Sequence, residues 1–484
     1  MTTSDQIGRA PVLSATPGHH LSRELAETIK LAAPMAATQL GQIAMMTTDL
    51  AFIGRLGDAA VAAAALAGTV YFVAFTFGMG LMSAVAPLAA RAFGARDPRM
   101  VRRSLRSGLW VGLLIALPIM ILPLRGEQIL QALGQAEEPS HLAQQYLFGL
   151  IWGVAPALWF IAIRGFMGAL NRPEPILWIT LAAIPFNALL VYLLLYGEFG
   201  FPQLGLFGAG LATATVNGGA FVASLWFATE RKPFQRYHIL VRLWRVDWQL
   251  MRQIVVIGAP ISISLLLEYG LFSSAALLMG MISTTALAAH QIALQVAVIL
   301  FMVPLGVSMA ATVRVGQAFG RDDADGVKRA GTVAMWLGIA ISAALTLAVI
   351  VLRFAIARFF LGADTENAGV AVTLAATLLV IGATFFVTDG LQTIAAGALR
   401  GMNDTRVPLL YAALSYWGIG FCSAYALAFH TPLGAAGVWT GLSLGTLVYA
   451  MLLLLRFRRL ASGLARTPNR EGGLHDGRQG PAQH

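Results

Sequence analysis

The sequence predicts an all-α integral membrane protein whose twelve transmembrane helices form two pseudo-symmetric six-helix bundles. Three observations carry this. The 484 residues are 57% hydrophobic and only 12% charged, with a mean hydropathy of +0.72, whereas soluble domains carry about 25% charged residues. The apolar residues fall in runs long enough to cross a bilayer as helix, which takes about 20 residues. The chain also repeats itself once, in the same order and over most of its length.

The runs place spans near 29–53, 62–88, 105–124, 143–166, 175–196, 206–228, 254–282, 286–313, 331–352, 369–397, 407–429 and 434–456. Several exceed the minimum length, so they tilt or project beyond the bilayer. Orientation follows from Lys and Arg. Arg91, Arg96, Arg99, Arg102, Arg103 and Arg106 follow the second span, and Arg231, Lys232, Arg236, Arg242, Arg245 and Arg252 follow the sixth. Of the 33 basic residues the opposite side takes Arg55, Arg125, Arg353 and Arg358, which puts both termini in the cytoplasm. The net charge of +10 is therefore topological and gives no sign of a nucleic-acid partner. Residues 1–27 read as a polar cytoplasmic tail without a cleavage-site pattern, leaving the first span as the insertion signal. An N-lobe over 28–240 and a C-lobe over 241–460 follow, joined by the basic stretch 229–252. The Gly-rich tail 461–484 reads as disordered. A single cysteine, Cys422, excludes an intrachain disulfide.

The repeat is ordered. A shift of 226 residues lays Ala33-Pro34 on Ala259-Pro260, Gly54 on Gly280, Gly80 on Gly306, Ala92-Phe93-Gly94 on Ala318-Phe319-Gly320 and Asp97 on Asp323. Later the shift becomes 229, with Gly168-Ala169-Leu170 on Gly397-Ala398-Leu399. Six spans per half leave both halves in the same orientation, so the repeat is parallel, about an axis along the membrane normal.

Against this background three acids stand out. Asp49, Glu268 and Asp389 lie inside apolar runs, where a charge costs about 2.5–3.5 kcal/mol on insertion scales. Acids kept at that cost usually bind a cation or a proton on a transport path. The repeat maps Glu268 to Gln42 and Asp49 to Ala275. Gln42 and Asp49 are seven residues apart on one helical face, about 10 Å apart in depth at 1.5 Å per residue. That stripe faces either the lobe interior or a central cavity. Asp389 maps to Phe160, so the halves are chemically unequal. Glu268 and Asp389 could exchange protons or hold a hard cation such as Na⁺ through oxygen ligands. Asp49 lies nearer the outer end of its span, within reach of interfacial water. Gln42, Asn187, Thr213, Gln291 and Gln295 are polar residues in or near spans, candidates for lining a cavity, although most such residues hydrogen-bond between helices. His290 reads as a hydrogen-bonded structural histidine. Pro34 and Pro260 read as helix-start prolines; Pro118, Pro156, Pro185 and Pro304 fall within spans. Gly441-Leu-Ser-Leu-Gly445 matches the nucleophile-elbow pattern but lies in an apolar helix, where Gly437, Gly441 and Gly445 instead make a close-packing face. No phosphate loop, zinc signature or dinucleotide fingerprint is present, which argues against an enzyme and for a transporter needing no cofactor.

These residues also carry a resemblance. Thr47-Thr-Asp-Leu-Ala-Phe-Ile-Gly54, Leu267-Glu-Tyr-Gly-Leu-Phe272, Ala288-Ala-His-Gln291, Gly208-Ala-Gly-Leu-Ala-Thr213, and Asp389 followed by Ala395-Ala-Gly-Ala-Leu-Arg-Gly401 make the chain similar to multidrug and toxic compound extrusion (MATE) transporters, above all the bacterial NorM-like branch. The resemblance covers about residues 25–460. It implies two six-helix bundles in a V and a monomer among the lipids of the bacterial inner membrane. It further implies export of organic cations against inward Na⁺ or H⁺, with Glu268 and Asp389 as the C-lobe cation site. Asp49, with Asn187 and Thr213, would serve the N-lobe. One departure is Ala183, where relatives often carry a polar residue one turn before Asn187. The alternative is a flippase for lipids or lipid-linked oligosaccharides. The absence of Lys or Arg at mid-depth speaks for cationic substrates over that alternative.

Overall fold

The structure is a computed structural model that describes residues 17–197, 199–361 and 368–466. Twelve long helices account for nearly all of it: α1 (Pro17–Gly54), α2 (Asp58–Gly94), α3 (Pro98–Leu124), α4 (Glu137–Ala169), α5 (Glu174–Tyr196), α6 (Gly205–Glu230), α7 (Trp248–Ile282), α8 (Thr284–Gly320), α9 (Ala324–Leu361), α10 (Ala368–Gly401), α11 (Arg406–Phe429) and α12 (Ala435–Arg466). No strand occurs among the described residues. Eleven of these helices are long and apolar enough to span a membrane by composition. α1 is the twelfth, and Thr38, Gln39, Gln42, Thr47, Thr48 and Asp49 along it lower its hydropathy.

Helices α1–α6 form one bundle and α7–α12 the other. Two of the larger buried cores belong to the first lobe and its junction with α7, and the largest gathers the second lobe around Phe385, Trp439 and Leu399. Within the second lobe the expected glycine face is present: Gly437, Gly441 and Gly445 lie against the α11 backbone at Leu427, Ala424 and Gly420, too close for any side chain.

The pseudo-two-fold axis is visible in the contacts between lobes. Gly80 of α2 meets Ser262 of α7, and Gly306 of α8 meets Ala36 of α1. These four positions exchange under the 226-residue shift. Gly94 likewise meets Gln317, and Gly320 meets Arg91, again an exchanged pair. Ser262 Oγ donates to the Phe77 carbonyl across the junction at 2.6 Å. The turns into α3 and α9 are related as well: Arg96 and Asp322 take positive φ, and Asp97 and Asp323 then cap the helix starts through Oδ1, satisfying amides the helix cannot.

Further bonds tie the lobes at the end bearing the basic loops. Arg314 of α8 clasps Glu24 of α1 with Nε and Nη2 at 3.0 and 2.8 Å. Gln317 Nε2 donates to the Ala169 carbonyl at 2.9 Å and to Asn171 Oδ1 at 3.0 Å. A polar cavity of about 340 Å³ adjoins the Glu24–Arg314 pair, lined also by Arg23, Glu27 and Arg329. Higher up, the tilted rings of Phe72 and Tyr269 meet across the junction with centroids 4.9 Å apart. The basic end of the molecule is thus sealed.

Three readings of the sequence change. α1 begins at Pro17, inside the stretch read as a tail, and α12 runs to Arg466; the rest of the tail lies outside the described residues. Pro34 and Pro260 are interior to α1 and α7, not at their starts, because both helices extend well below their apolar runs. The Thr38 and Ser264 hydroxyls bond the Pro34 and Pro260 carbonyls at 2.8 Å.

Candidate functional site

The three acids all turn into the lobes, not toward the junction. Asp49 is 7% exposed. Asn187 Nδ2 of α5 donates to its Oδ1, and Thr213 Oγ1 of α6 donates to its Oδ2 at 3.1 Å. Both donors lie in the same lobe, so the Asp49 stripe faces the lobe interior, and the interfacial reading of this acid gives way to a buried, bonded one. Asn187 is fully buried, which places it in the shell of Asp49 and away from any open cavity wall. The pseudo-equivalent of Asp49, Ala275, is also buried.

In the second lobe Glu268 of α7 and Asp389 of α10 come together around a residue the sequence reading did not single out. Gln392 Nε2 donates to Asp389 Oδ1 at 2.7 Å and to the Tyr416 hydroxyl at 2.7 Å, and stands 3.5 Å from Glu268 Oε1. An amide nitrogen has two protons, so the two short contacts are its bonds and the Glu268 contact is too long to count as one. Glu268 instead faces the Tyr416 hydroxyl. Asp389 is 6% exposed and Gln392 2% exposed. Gln392 follows Asp389 by three residues on one helix face, and that spacing is the signal that could have found it.

Tyr416 reaches this position because residues 413–421 of α11 form a π-helix. One extra residue per turn rotates the following side chains, and such segments often mark functional sites. Above the acids lies an aromatic layer: Phe272, Phe386 and Trp439 around Phe385, with centroids 5.5–6.1 Å from it. His290 joins it, 5.7 Å from Trp439. The sequence reading gave His290 a hydrogen bond; instead both its ring nitrogens and Trp439 Nε1 lack a partner. Beside the acids, Thr388 and Thr446 hydroxyls bond at 2.8 Å. Below them the Tyr416 and Tyr449 rings meet at 5.1 Å.

The cluster is rich in oxygen. Two carboxylates and the Tyr416 hydroxyl lie about Gln392 Nε2, and Gln392 Oε1, Ser342 Oγ and Ser415 Oγ have no bonding partner. Buried polar atoms are rarely left so. A hard cation or a proton suits such a set. No cluster of three His, Cys, Asp or Glu that could hold a metal occurs among the described residues, so any Na⁺ bound here would be cargo held by mixed oxygen ligands.

Of the other candidates, Gln42 is half-buried, while Gln291 and Gln295 are exposed one turn apart on α8. The expectation of no Lys or Arg at mid-depth is not touched by the two arginines in these helices: Arg164, near the end of α4, donates to Gln39 Oε1 at 2.7 Å, and Arg400 lies in the last turn of α10. Arg164 escaped notice because its polar partner, Gln39, lies on another helix.

The family model MatE matches the chain twice, over residues 34–193 and 260–426, starting at the pseudo-equivalent Pro34 and Pro260. The chain belongs to the MATE family. It is a transporter, not an enzyme. "Probable multidrug resistance protein NorM" of Bradyrhizobium diazoefficiens is 65% identical over 93% of this chain and 97% of the relative. The protein of the same name from Rhodopseudomonas palustris is 57% identical over 90% and 92%. Among solved structures, an outward-facing conformation of a multidrug resistance MATE family transporter matches with a TM-score of 0.84 at 21% identity, covering 94% of this chain and all of that one. A MATE in the straight conformation gives 0.83 at 20% identity with the same coverage. The two-lobe MATE architecture of twelve membrane helices is therefore that of this chain.

Proposed function

We propose that this MATE protein is a multidrug antiporter of the bacterial inner membrane that exports organic cations in exchange for inward Na⁺ or H⁺. Its basic end and both termini face the cytoplasm, and the lobes 28–240 and 241–460 rock about the pseudo-two-fold axis as a monomer among lipids. The observation that carries this reading is the C-lobe cluster. A buried carboxylate, Asp389, and a half-buried one, Glu268, lie about one amide, and two like charges that close in a poorly solvated lobe need a proton or a cation between them. The names of the relatives at 65% and 57% identity supply the drug-export half of the reading. The sealed basic end corresponds to the outward-facing state, in which Glu268 and Asp389 load the coupling cation. Asp49, with Asn187 and Thr213, is the N-lobe counterpart. Gln42, Gln291 and Gln295 line the substrate path. A bound ion moves the lobes only through its different affinity for the two states.

The test is efflux of a fluorescent organic cation from cells expressing the protein or Asp389→Asn, with and without Na⁺. Efflux that requires both Na⁺ and Asp389 supports sodium coupling. Efflux without Na⁺ that collapses with the proton gradient supports proton coupling. Wild-type export by Asp389→Asn removes the acid from the mechanism, and no efflux from a protein confirmed in the membrane transfers the reading to a lipid flippase.

A further inference from the structure

Between its acids and the end opposite the basic loops, the C-lobe interior is polar where the matching part of the N-lobe is not. That end is the outer one on the proposed orientation. His290 of α8 and Trp439 of α12 are both fully buried, with ring centroids 5.7 Å apart. Neither ring nitrogen of His290 nor Nε1 of Trp439 has a partner. His290 follows the start of α8 at Thr284 by six residues and Trp439 follows the start of α12 at Ala435 by four, which puts both within about 10 Å of the outer helix ends. From Trp439 one face of α12 descends through Ser443 and Thr446, four and seven residues on, both buried. Thr446 Oγ1 meets Thr388 Oγ1 at 2.8 Å, and Thr388 adjoins Asp389. Phe385 and Phe386, which meet Trp439 with centroids 5.5 and 6.2 Å away, lie one turn above Asp389. The repeat places Ala64, Gly210, Ala214 and Trp159 opposite His290, Trp439, Ser443 and Thr388, and only Thr446 keeps a polar counterpart, Asn217. The polar stripe thus belongs to the lobe that carries the paired acids. Enclosing a polar group without a partner costs about 1–3 kcal/mol. Phenylalanine at 290 would fill the aromatic layer without that cost, so an imidazole there points to a use. The charged groups nearest this end on the helices packed around α8 are Asp49 of α1, Glu268 of α7, Arg353 of α9 and Asp389 of α10, and none of them bonds His290.

We propose that His290 and the hydroxyls of Ser443, Thr446 and Thr388 form a proton route through the C-lobe, which loads the acid pair from the outer side without passing between the lobes. This rests on the reading of Glu268 and Asp389 as the coupling site and narrows the coupling ion to the proton. An imidazole relays by binding a proton at one ring nitrogen and releasing the one held at the other, so one N–H bond forms, one breaks and the ring returns to neutral. Each hydroxyl likewise accepts one proton and passes on its own, with water as the carrier between groups. The proton ends as the O–H of a carboxyl group where a carboxylate stood. Trp439, a donor only, takes no part in the transfer and walls the route. The packing suits a proton handed between groups and not an ion moving through: a methyl added at Gly382 of α10 would stand 3.2 Å from the Trp439 ring. Loading by such a route does not wait for substrate to clear the space between the lobes.

The experiment uses the full-length protein reconstituted in vesicles, with a pH jump on the outer side and export of a fluorescent organic cation followed in time, with and without Na⁺. The equilibrium pH midpoint of the acids is read separately from tryptophan fluorescence, since Trp417 Nε1 donates to the Leu267 carbonyl beside Glu268 at 3.2 Å. Wild type is compared with His290→Phe, His290→Gln and Thr446→Val, each checked for thermal unfolding. His290→Phe removes two unpartnered nitrogens from an apolar layer and should unfold no earlier than wild type. A relay sets how fast the acids are loaded and not how firmly they hold a proton. Both His290 variants are therefore expected to slow proton-driven export by on the order of a hundredfold at an unchanged equilibrium midpoint, and Thr446→Val should slow it in the same way. A wild-type rate in folded His290→Phe, or a slowing matched by an equal shift of the midpoint, overturns the proposal. Export driven by Na⁺ and indifferent to the proton gradient overturns the route and leaves the acids as a Na⁺ site. Export indifferent to both overturns the coupling reading itself. If neither His290 variant folds, Thr446→Val decides: slowed loading at an unchanged midpoint supports the route, and a wild-type rate overturns it.

Discussion

Asp49 in the first lobe and the Glu268–Asp389 pair in the second occupy related helices and differ in what surrounds them. Asp49 has one neutral donor for each oxygen, Asn187 and Thr213, so the single carboxylate is matched, while Asn187 Oδ1 beside it has no partner. In the second lobe two carboxylates share a neighbourhood in which Gln392 bonds only one of them directly, and free hydroxyl and amide oxygens remain. The first arrangement can hold an anion by hydrogen bonding alone. The second, on the proposed function, is completed by a proton or a cation. Duplication of a lobe thus preserved the packing and divided the chemistry, leaving one half to keep a buried acid and the other to require a partner for two.

The largest effect that follows concerns the acids. A unit charge about 4 Å from a carboxylate interacts by about 4 kcal/mol at an effective dielectric of 20. Asp389→Asn or Glu268→Gln is therefore expected to weaken binding of the coupling cation by up to about a thousandfold and to abolish gradient-driven export. Asp49→Asn, whose shell still offers hydrogen bonds to an amide, is expected to cost no more than about tenfold. Equal losses for Asp49→Asn and Asp389→Asn, measured as efflux rate per protein in the membrane, would erase the distinction between the lobes.

A second comparison sets close packing within a lobe against close packing between lobes. Gly441 lies against Ala424 inside the second bundle, and Gly306 against Ala36 across the junction. Leucine at 441 must separate two helices of one core, a disruption worth several kcal/mol, so little folded protein is expected. Leucine at 306 obstructs only the docking of two intact lobes. Gly306→Leu should fold but fail to seal its basic end. The check is labelling of Val313→Cys in a Cys422→Ser background by a bulky maleimide applied to the purified protein. Val313 is 1% exposed in the sealed state, so protection should fall when Gly306 is replaced. Undiminished protection would mean that the junction is not where the lobes move.

How much of this could be read from the residues depends on whether the signal is local. The twelve helices and their repeat were legible because bilayer thickness and apolar run length are both one-dimensional. The acids were legible because charge in an apolar run is conspicuous. Gln392 was passed over although it shares a helix face with Asp389, since glutamine is ordinary in composition. The π-helix at 413–421 leaves no period in so short an apolar stretch, yet it delivers Tyr416 to Glu268. The extension of α1 to Pro17 was hidden because a helix emerging from the bilayer loses the hydropathy that marks it, and Pro34 then reads as a beginning when it is an interior break.

The shells of the acids give a smaller effect. Asn187→Ala removes a donor to a fully enclosed carboxylate, which costs about 1–3 kcal/mol and lowers the thermal midpoint in detergent by the same amount with or without Na⁺. Gln392→Ala removes a donor of similar strength from the cluster proposed to bind the coupling cation, so on that proposal its cost should shrink when Na⁺ or low pH supplies the missing charge. A cost for Gln392→Ala that ignores both would make its shell as self-sufficient as that of Asp49.

The smallest effect belongs to the Glu24–Arg314 clasp, and it separates the closing of the lobes from the chemistry inside them. The pair joins α1 to α8 through two parallel hydrogen bonds at 3.0 and 2.8 Å, with side chains 16% and 18% exposed, beside a polar cavity that admits water. Partial exposure limits such a pair to about 1 kcal/mol, a roughly fivefold change in an equilibrium. Arg314→Met should therefore shift the sealed population by about that factor, read from Val313→Cys protection, and leave cation affinity in the C-lobe cluster untouched. Glu24→Gln should do the same, and the double variant should cost no more than either alone, since each single change already removes the whole contact. Added salt should mimic all three in the wild type and change none of the variants. A clasp whose loss altered Na⁺ affinity in the isolated sealed state would place the coupling in the junction and not in the acids, because a bond between the lobes can bias which state is populated without deciding what either state binds.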